Sequence, residues 1–169
     1  MGNFMDKVMA RLYTRFPFLL DRWAKRSKII TFQDTFFVEP FVAREELKVA
    51  LVTTGGVHLK TQEPFDMKDR DGDPSFREIP GNARVDELTV THDYYDSRDA
   101  LKDIEVVFPI LTLSELAEEG FIREVNWRHF SFMGHIQGPH LEALMNVTAP
   151  EVAARLRKDG VGAVLLAPA

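Results

Sequence analysis

Short apolar runs, several of them cut off by glycine, alternate with segments of helical spacing along residues 48–166, and this alternation restricts the fold more than any other feature. Lys48-Val49-Ala50-Leu51-Val52-Thr53-Thr54 halts at Gly55-Gly56 and reads as a strand buried on both faces. Further strands are expected at 87–91, 104–108, 129–133 and 161–166. Helices are expected at 112–119, with Thr112 or Ser114 as cap, at 139–146 and at 149–158. The last has Thr148 and Glu151 as a capping box, Pro150 in its first turn, and Lys158-Asp159-Gly160 as a stop. The pattern predicts an α/β fold with a mostly parallel, Rossmann- or flavodoxin-like sheet and flanking helices.

Ahead of this domain (48–169) stand a basic helical segment at 1–28 and a connector at 29–47. Phe4, Val8, Leu12, Phe16, Leu19 and Trp23 recur at three- and four-residue spacing, interrupted at Pro17, as in an amphipathic helix. Such a helix either lies on a membrane surface or docks on the domain or a partner subunit, and the packing residues favour docking. Residues 1–28 carry seven basic and two acidic side chains, although the whole chain is formally −5. A contact between copies of the chain through this head is one expectation.

The acidic balance argues against a nucleic-acid partner. No apolar run approaches the roughly 18 residues that a membrane span needs. No secretory leader is visible, and Asp6 breaks the myristoylation pattern, so a cytoplasmic protein is the default. With 169 residues and no cysteine, the chain as given cannot form disulfides, Cys-ligated metal sites or a thiolate nucleophile.

Ligands in open α/β sheets bind beyond the carboxyl ends of the strands, and three polar clusters fall in or between such places. In Thr53-Thr54-Gly55-Gly56-Val57-His58, backbone N–H groups, hydroxyls and an imidazole could meet an anion; the same glycines equally suit a tight turn. In Thr91-His92-Asp93-Tyr94-Tyr95-Asp96, a carboxylate can orient His92 as acid or base, or Asp96-Ser97 can cap a short helix at 98–103. The stretch 66–80, with Asp66, Asp73, Ser75 and Arg77, reads as a polar lid; its Gly72 and Pro80 do not fit an EF-hand loop. His129, His135 and His140 lack helix-face metal spacing, and no metal site is expected.

Together these segments, with Pro64-Phe65-Asp66, Gly72-Asp73-Pro74-Ser75-Phe76-Arg77, Val107-Phe108-Pro109-Ile110 and Phe130-Ser131-Phe132-Met133-Gly134-His135, resemble the selenoprotein B type subunits of the glycine/sarcosine/betaine reductases and D-proline reductase, over about residues 48–167. The resemblance implies an oxidoreductase that reductively cleaves a C–N bond in a small amino-acid or betaine-type substrate, working with other reductase subunits or thiol donor proteins. Thr53, Thr54, Gly55 and Gly56 would then bind the substrate's carboxylate. His58, His92 and Asp96 would handle protons, and Asp66, Asp73, Ser75 and Arg77 would close over the substrate.

The family's reactive selenocysteine or cysteine follows a strand like 161–166, so one is expected just after Ala169 if the reading frame continues. A chain closed at a UGA codon accounts for a sequence that otherwise holds no cofactor. A non-catalytic binding or assembly module, and a metal-dependent hydrolase or lyase using the His/Asp cluster, are the competing expectations.

Overall fold

The computed structural model describes residues 2–25, 38 and 42–169. Helix α1 (Gly2–Arg15) is broken from α2 (Pro17–Ala24) at Phe16, as Pro17 requires. Of their described apolar side chains, Val8, Leu12, Phe16 and Phe18 remain exposed. The side chains of Phe4 and Trp23 lie outside the description, as does most of the 29–47 connector. Among the described residues no helix is long and apolar enough to cross a membrane.

The domain then runs β1 (Lys48–Thr53), β2 (Val57–Leu59), β3 (Phe76–Pro80), β4 (Leu88–Val90), α3 (Arg98–Lys102), α4 (Ile110–Glu118), β5 (Glu124–Val125), β6 (Arg128–Phe132), α5 (Gly138–Ala143), α6 (Ala149–Lys158) and β7 (Ala163–Ala167). Strand β1 is central. It pairs in parallel with β5 and β6 along one edge and with β7 along the other. Strand β3 adds to the outside of β6 in the antiparallel sense, and β2 and β4 form a separate antiparallel pair. The fold is therefore α/β with a mostly parallel sheet.

Alternation along β1 divides its side chains between two cores. Val49 and Leu51 pack with Ile79, Ala100, Phe108, Ile110 and Leu113, the face covered by α3 and α4. Ala50 packs with Phe130, Phe132, Val152 and Leu156, the face covered by α6. The segments that follow β1 and β6 thus supply helices to opposite faces of the sheet.

A bulge separates β5 from β6. From Val49 to Val52 the central strand advances three residues, whereas its neighbour advances five, from Val125 to Phe130. The Leu51 N–H, displaced from the ladder, donates to Nδ1 of fully buried His129 at 2.9 Å. The ring holds its proton on Nε2 for this purpose, and burial pushes its pKa down to about 4.

Four sequence expectations need correction. Residues 104–108 hold a 3-10 turn (Ile104–Val106) and no strand. The Asp103 carboxylate accepts the Glu105 N–H at 3.0 Å, and Ile104, Val107 and Phe108 plug the core instead of joining the sheet. Helix α4 starts two residues early and is capped neither by Thr112 nor by Ser114. The Glu105 carboxylate receives the Leu111 and Thr112 N–H groups, both at 3.0 Å. Thr148 caps nothing, because one π-helical turn (Leu144–Thr148) feeds the chain into α6 already helical. The stop at Gly160 (φ +75°) is as expected. The supposed lid, 66–80, contains β3, whose register with β6 fixes a third of it in the sheet.

Candidate active site at the strand ends

Three strand ends meet at Gly134. Thr54 directly follows β1, and Gly134 and Ala169 lie two residues past β6 and β7. A Cβ placed on Gly134 would lie 3.2 Å from the Thr54 carbonyl oxygen and 3.3 Å from that of Ala169, so glycine lets the three strand ends approach this closely. The Ala169 N–H donates to Thr54 Oγ1 at 3.1 Å, and a bridge between Gly55 and Met133 continues the pairing past the strands.

The segment after β4 closes the group. His92 is 7% exposed, and two backbone donors face its ring: Tyr94 N–H at Nδ1, 3.1 Å, and Gly134 N–H at Nε2, 3.2 Å. A neutral imidazole accepts only one hydrogen bond and an imidazolium none. The site therefore opposes protonation, and burial, with the charge of His135, lowers the His92 pKa to about 4. At neutral pH this ring is an acceptor and a brace, and it is unsuited to giving up a proton. Tyr95 packs against it, ring centroids 4.6 Å apart, and donates its hydroxyl to the Gly55 carbonyl at 3.0 Å. Burial pushes that phenol up to about 12.

Sequence-predicted residues divide between this group and others. The Thr53 hydroxyl donates to the Ala167 carbonyl and accepts the Gly55 N–H, and the Gly56 N–H donates to the Phe132 carbonyl. The amides that the sequence offered to an anion are thus engaged within the protein. Gly56 has φ +69°, and a Cβ there would stand 2.4 Å from the Thr91 carbonyl oxygen, which is the tight-turn alternative. His58 is buried between β2 and β4. Its Nδ1–H donates to the Leu59 carbonyl and its Nε2 accepts from Thr91, both at 2.8 Å. Burial lowers its pKa. Asp96 grips exposed Arg98 ahead of α3 and does not orient His92.

Asp66, Asp73, Ser75 and Arg77 do come together, around a cavity of about 490 Å³ shared with Gln62, Glu63 and Pro64. Asp73 accepts from Ser75 and from the Asp66 backbone N–H. Burial works to raise its pKa, but these hydrogen bonds and the Arg77 charge prevail and lower it. Arg77 spends its donors on the Glu63 and Pro64 carbonyls and on Ser75, and stacks over Phe65. A second strap ties this loop to the chain after β6: His135 to the Arg70 carbonyl, Gln137 N–H to the Asp71 carbonyl, and His140 to Asp69.

Tyr94 and Tyr95 belong to the second polar cluster of the sequence without a role there, His135 is weighed in the sequence only as a metal ligand, and Gly134 has no expected role. The signal was a strand followed closely by glycine and then histidine, which occurs after β6 (Gly134-His135) and, less compactly, after β1 (Gly55 to His58). Among the described residues, no group of three or more metal-ligating side chains is assembled.

Comparison with known proteins agrees with this arrangement of segments. Residues 28–169 match the family model for glycine/sarcosine/betaine reductase selenoprotein B. The D-proline reductase subunit gamma of Acetoanaerobium sticklandii is 43% identical over 122 residues, covering 72% of this chain and 48% of that protein. The chain spans about half the length of this relative. No solved structure matches it. With a family model matched across more than three quarters of its length, the chain belongs to the glycine/sarcosine/betaine reductase selenoprotein B family.

Proposed function

We propose that this chain is the strand-end half of a reductase subunit that cleaves the C–N bond of an amino acid or betaine-type substrate. The observation that carries the reading is the convergence of Thr54, Gly134 and Ala169 beside His92 and His135. In a doubly wound, Rossmann- or flavodoxin-like sheet this is where a ligand sits. A selenocysteine or cysteine directly after Ala169 would join the group, because Ala169 itself is held there by Thr54. That residue supplies the nucleophilic selenolate or thiolate that these 169 residues lack.

The chain's own residues bind and brace. Thr54 anchors the end of β7, and neutral His92 ties the segment after β4 to the segment after β6. Asp73, Ser75 and Arg77 shape the neighbouring cavity as substrate-binding wall, with Asp66 at its rim. The word "subunit" in the relative's name supports partner subunits or a thiol donor protein here too, and the basic residues of 1–28 suit contact between copies.

The test is dithiol-dependent release of amine by the complete enzyme carrying this chain, against none by the 169-residue chain alone. Turnover by that chain alone would overturn the assignment of the nucleophile. A UAA or UAG codon after Ala169 would sink its placement. The absence of cysteine favours, as second reading, a binding or assembly module; it predicts partner binding with no turnover in the complete assembly.

A further inference from the structure

We propose that β7 is an interior strand of the complete subunit: the polypeptide that follows Ala169 packs back over the α6 face of the sheet, burying Val164 and Leu166, and adds a further parallel strand along the outer edge of β7. This rests on the proposed reading that the frame continues past Ala169, and it assigns the surface on which the rest of the subunit assembles.

The two edges of the sheet are built differently. On the β3 side, the edge strand carries Arg77, Glu78 and Pro80, and the Gln62 side chain donates to the Glu78 carbonyl at 2.8 Å. Charge, proline and an occupied carbonyl all discourage unwanted strand pairing. Strand β7 has none of these devices. Its sequence is Ala-Val-Leu-Leu-Ala, and it pairs in unbroken register with β1 from Ala163 to Ala167. The Ala167 carbonyl accepts the Thr54 N–H at 3.1 Å and so faces β1; by alternation the backbone groups of Val164 and Leu166 face away from β1. Among the described residues no strand pairs with that side.

The side chains are uncovered too. Val164, Leu165 and Leu166 are 40%, 43% and 68% exposed, whereas Ala50 and Leu51, opposite the first two on β1, are fully buried. Register partners share a face, so Val164 and Leu166 lie on the α6 face with Ala50 and Val52, and Leu165 on the other with Leu51. Topology selects the occupant. From β1 to β6 the chain travels one way across the sheet, with α3 and α4 on one face. From β6 to β7 it travels back past β1, with α6 on the opposite face. Crossovers of one hand that travel in the same direction lie on the same face. The Ala169 N–H is tied to Thr54 at the carboxyl end, so polypeptide leaving there runs back to the amino end before it can pair in parallel with β7. One more step outward therefore puts that crossover on the α6 face, over Val164 and Leu166. Length is sufficient: the matched residues are 48% of the D-proline reductase subunit gamma, and the rest far exceeds the roughly dozen residues a crossover needs.

Backbone amide exchange in the complete subunit decides it. If β7 is interior, the Val164 and Leu166 amides should exchange as slowly as that of Leu165, which faces β1; at an open edge they would exchange on the order of a hundredfold faster. In the 169-residue chain alone the two should remain fast. Fast exchange in the complete subunit overturns the inference. So does slow exchange in the 169-residue chain, which would mean that a second copy or another part of the same chain covers the edge. Leu166→Lys should lower the urea midpoint of the complete subunit and leave that of the 169-residue chain unchanged; an equal shift in both, or in neither, overturns the inference. Amine release is read separately. Fast amides in a subunit that still releases amine fail the inference alone, and slow amides in a subunit that releases none fail the reductase reading alone. A UAA or UAG codon after Ala169 also overturns the inference, because the occupant would not exist.

Discussion

The two ends of the central sheet are closed by opposite chemistry. At the amino end, charges interlock. Arg128 holds Asp159 through two bonds of 2.7 and 2.8 Å and reaches Glu78, which also takes Arg155 at 2.7 Å. Lys48 adds a pair with Glu124. At the carboxyl end, closure is made by neutral imidazoles, hydroxyls, backbone amides and glycines. Ion pairs seal an end that nothing needs to enter. At the carboxyl end the strand ends are held by uncharged hydrogen bonds, among them those of the Thr54 hydroxyl and the His92 ring. The contrast also separates the ends in pH, because histidines and carboxylates titrate in different ranges.

The largest expected effect exploits that separation. His92 at the carboxyl end and His129 in the bulge have pKa values of about 4 in the folded chain, against 6.5 for an ordinary histidine. The unfolded chain then binds more protons between these limits, so stability is full above about pH 6.5 and falls as pH drops toward 4. Each ring is worth on the order of 3 kcal/mol across that window. Asp159, whose pKa is lowered chiefly by the Arg128 hydrogen bonds, loses its contribution only below the usual carboxylate range. Urea unfolding from pH 7 to 3 should show the histidine loss first. His92→Gln should shallow that first phase and leave the second unchanged; an unaltered first phase would show that the ring is not held neutral.

Next in size is a single methyl group at the carboxyl end. Gly56→Ala places a Cβ 2.4 Å from the Thr91 carbonyl oxygen at φ +69°. The expected loss is about 3 kcal/mol by urea unfolding, from strain and forced displacement of the Thr91–His92 backbone. A loss below about 1 kcal/mol would mean that the turn relaxes freely, and that the carboxyl end is looser than the amino end.

These two ends were unequally legible in the sequence. The carboxyl end announced itself, since Gly55-Gly56, Thr91-His92 and Gly134-His135 each punctuate a strand. Roles within it were less readable. The Gly55 and Gly56 amides looked open because their partners, the Thr53 hydroxyl and the Phe132 carbonyl, depend on the turn and on a neighbouring strand. His58 stood out beside the glycines yet proves fully bonded between β2 and β4. Almost nothing announced the amino-end lattice, whose pair Arg128 and Asp159 are 31 residues apart and meet only once α6 lies on the sheet. Residues 104–108 misled for a local reason: β-branched side chains were outvoted by the Asp103 and Glu105 carboxylates, which cap the turns on either side.

The smallest predicted effects are a matched pair of charge removals. Asp159→Asn keeps the shape of a side chain that is 6% exposed but takes the charge from beneath Arg128, which is 13% exposed. Breaking one partner of a largely buried pair leaves the other uncompensated, and Glu78 offsets only part of this, so about 2 kcal/mol should be lost. Asp96→Asn removes an ion pair at the carboxyl end, yet its partner Arg98 is 63% exposed and solvent replaces the carboxylate. That change should cost less than about 0.5 kcal/mol and shrink further in 0.5 M salt. Urea midpoints of the two variants, side by side, measure how much of the sheet's charge is structural. Equal losses would erase the distinction between the ends, because charge would then matter as much at the carboxyl end as at the amino end.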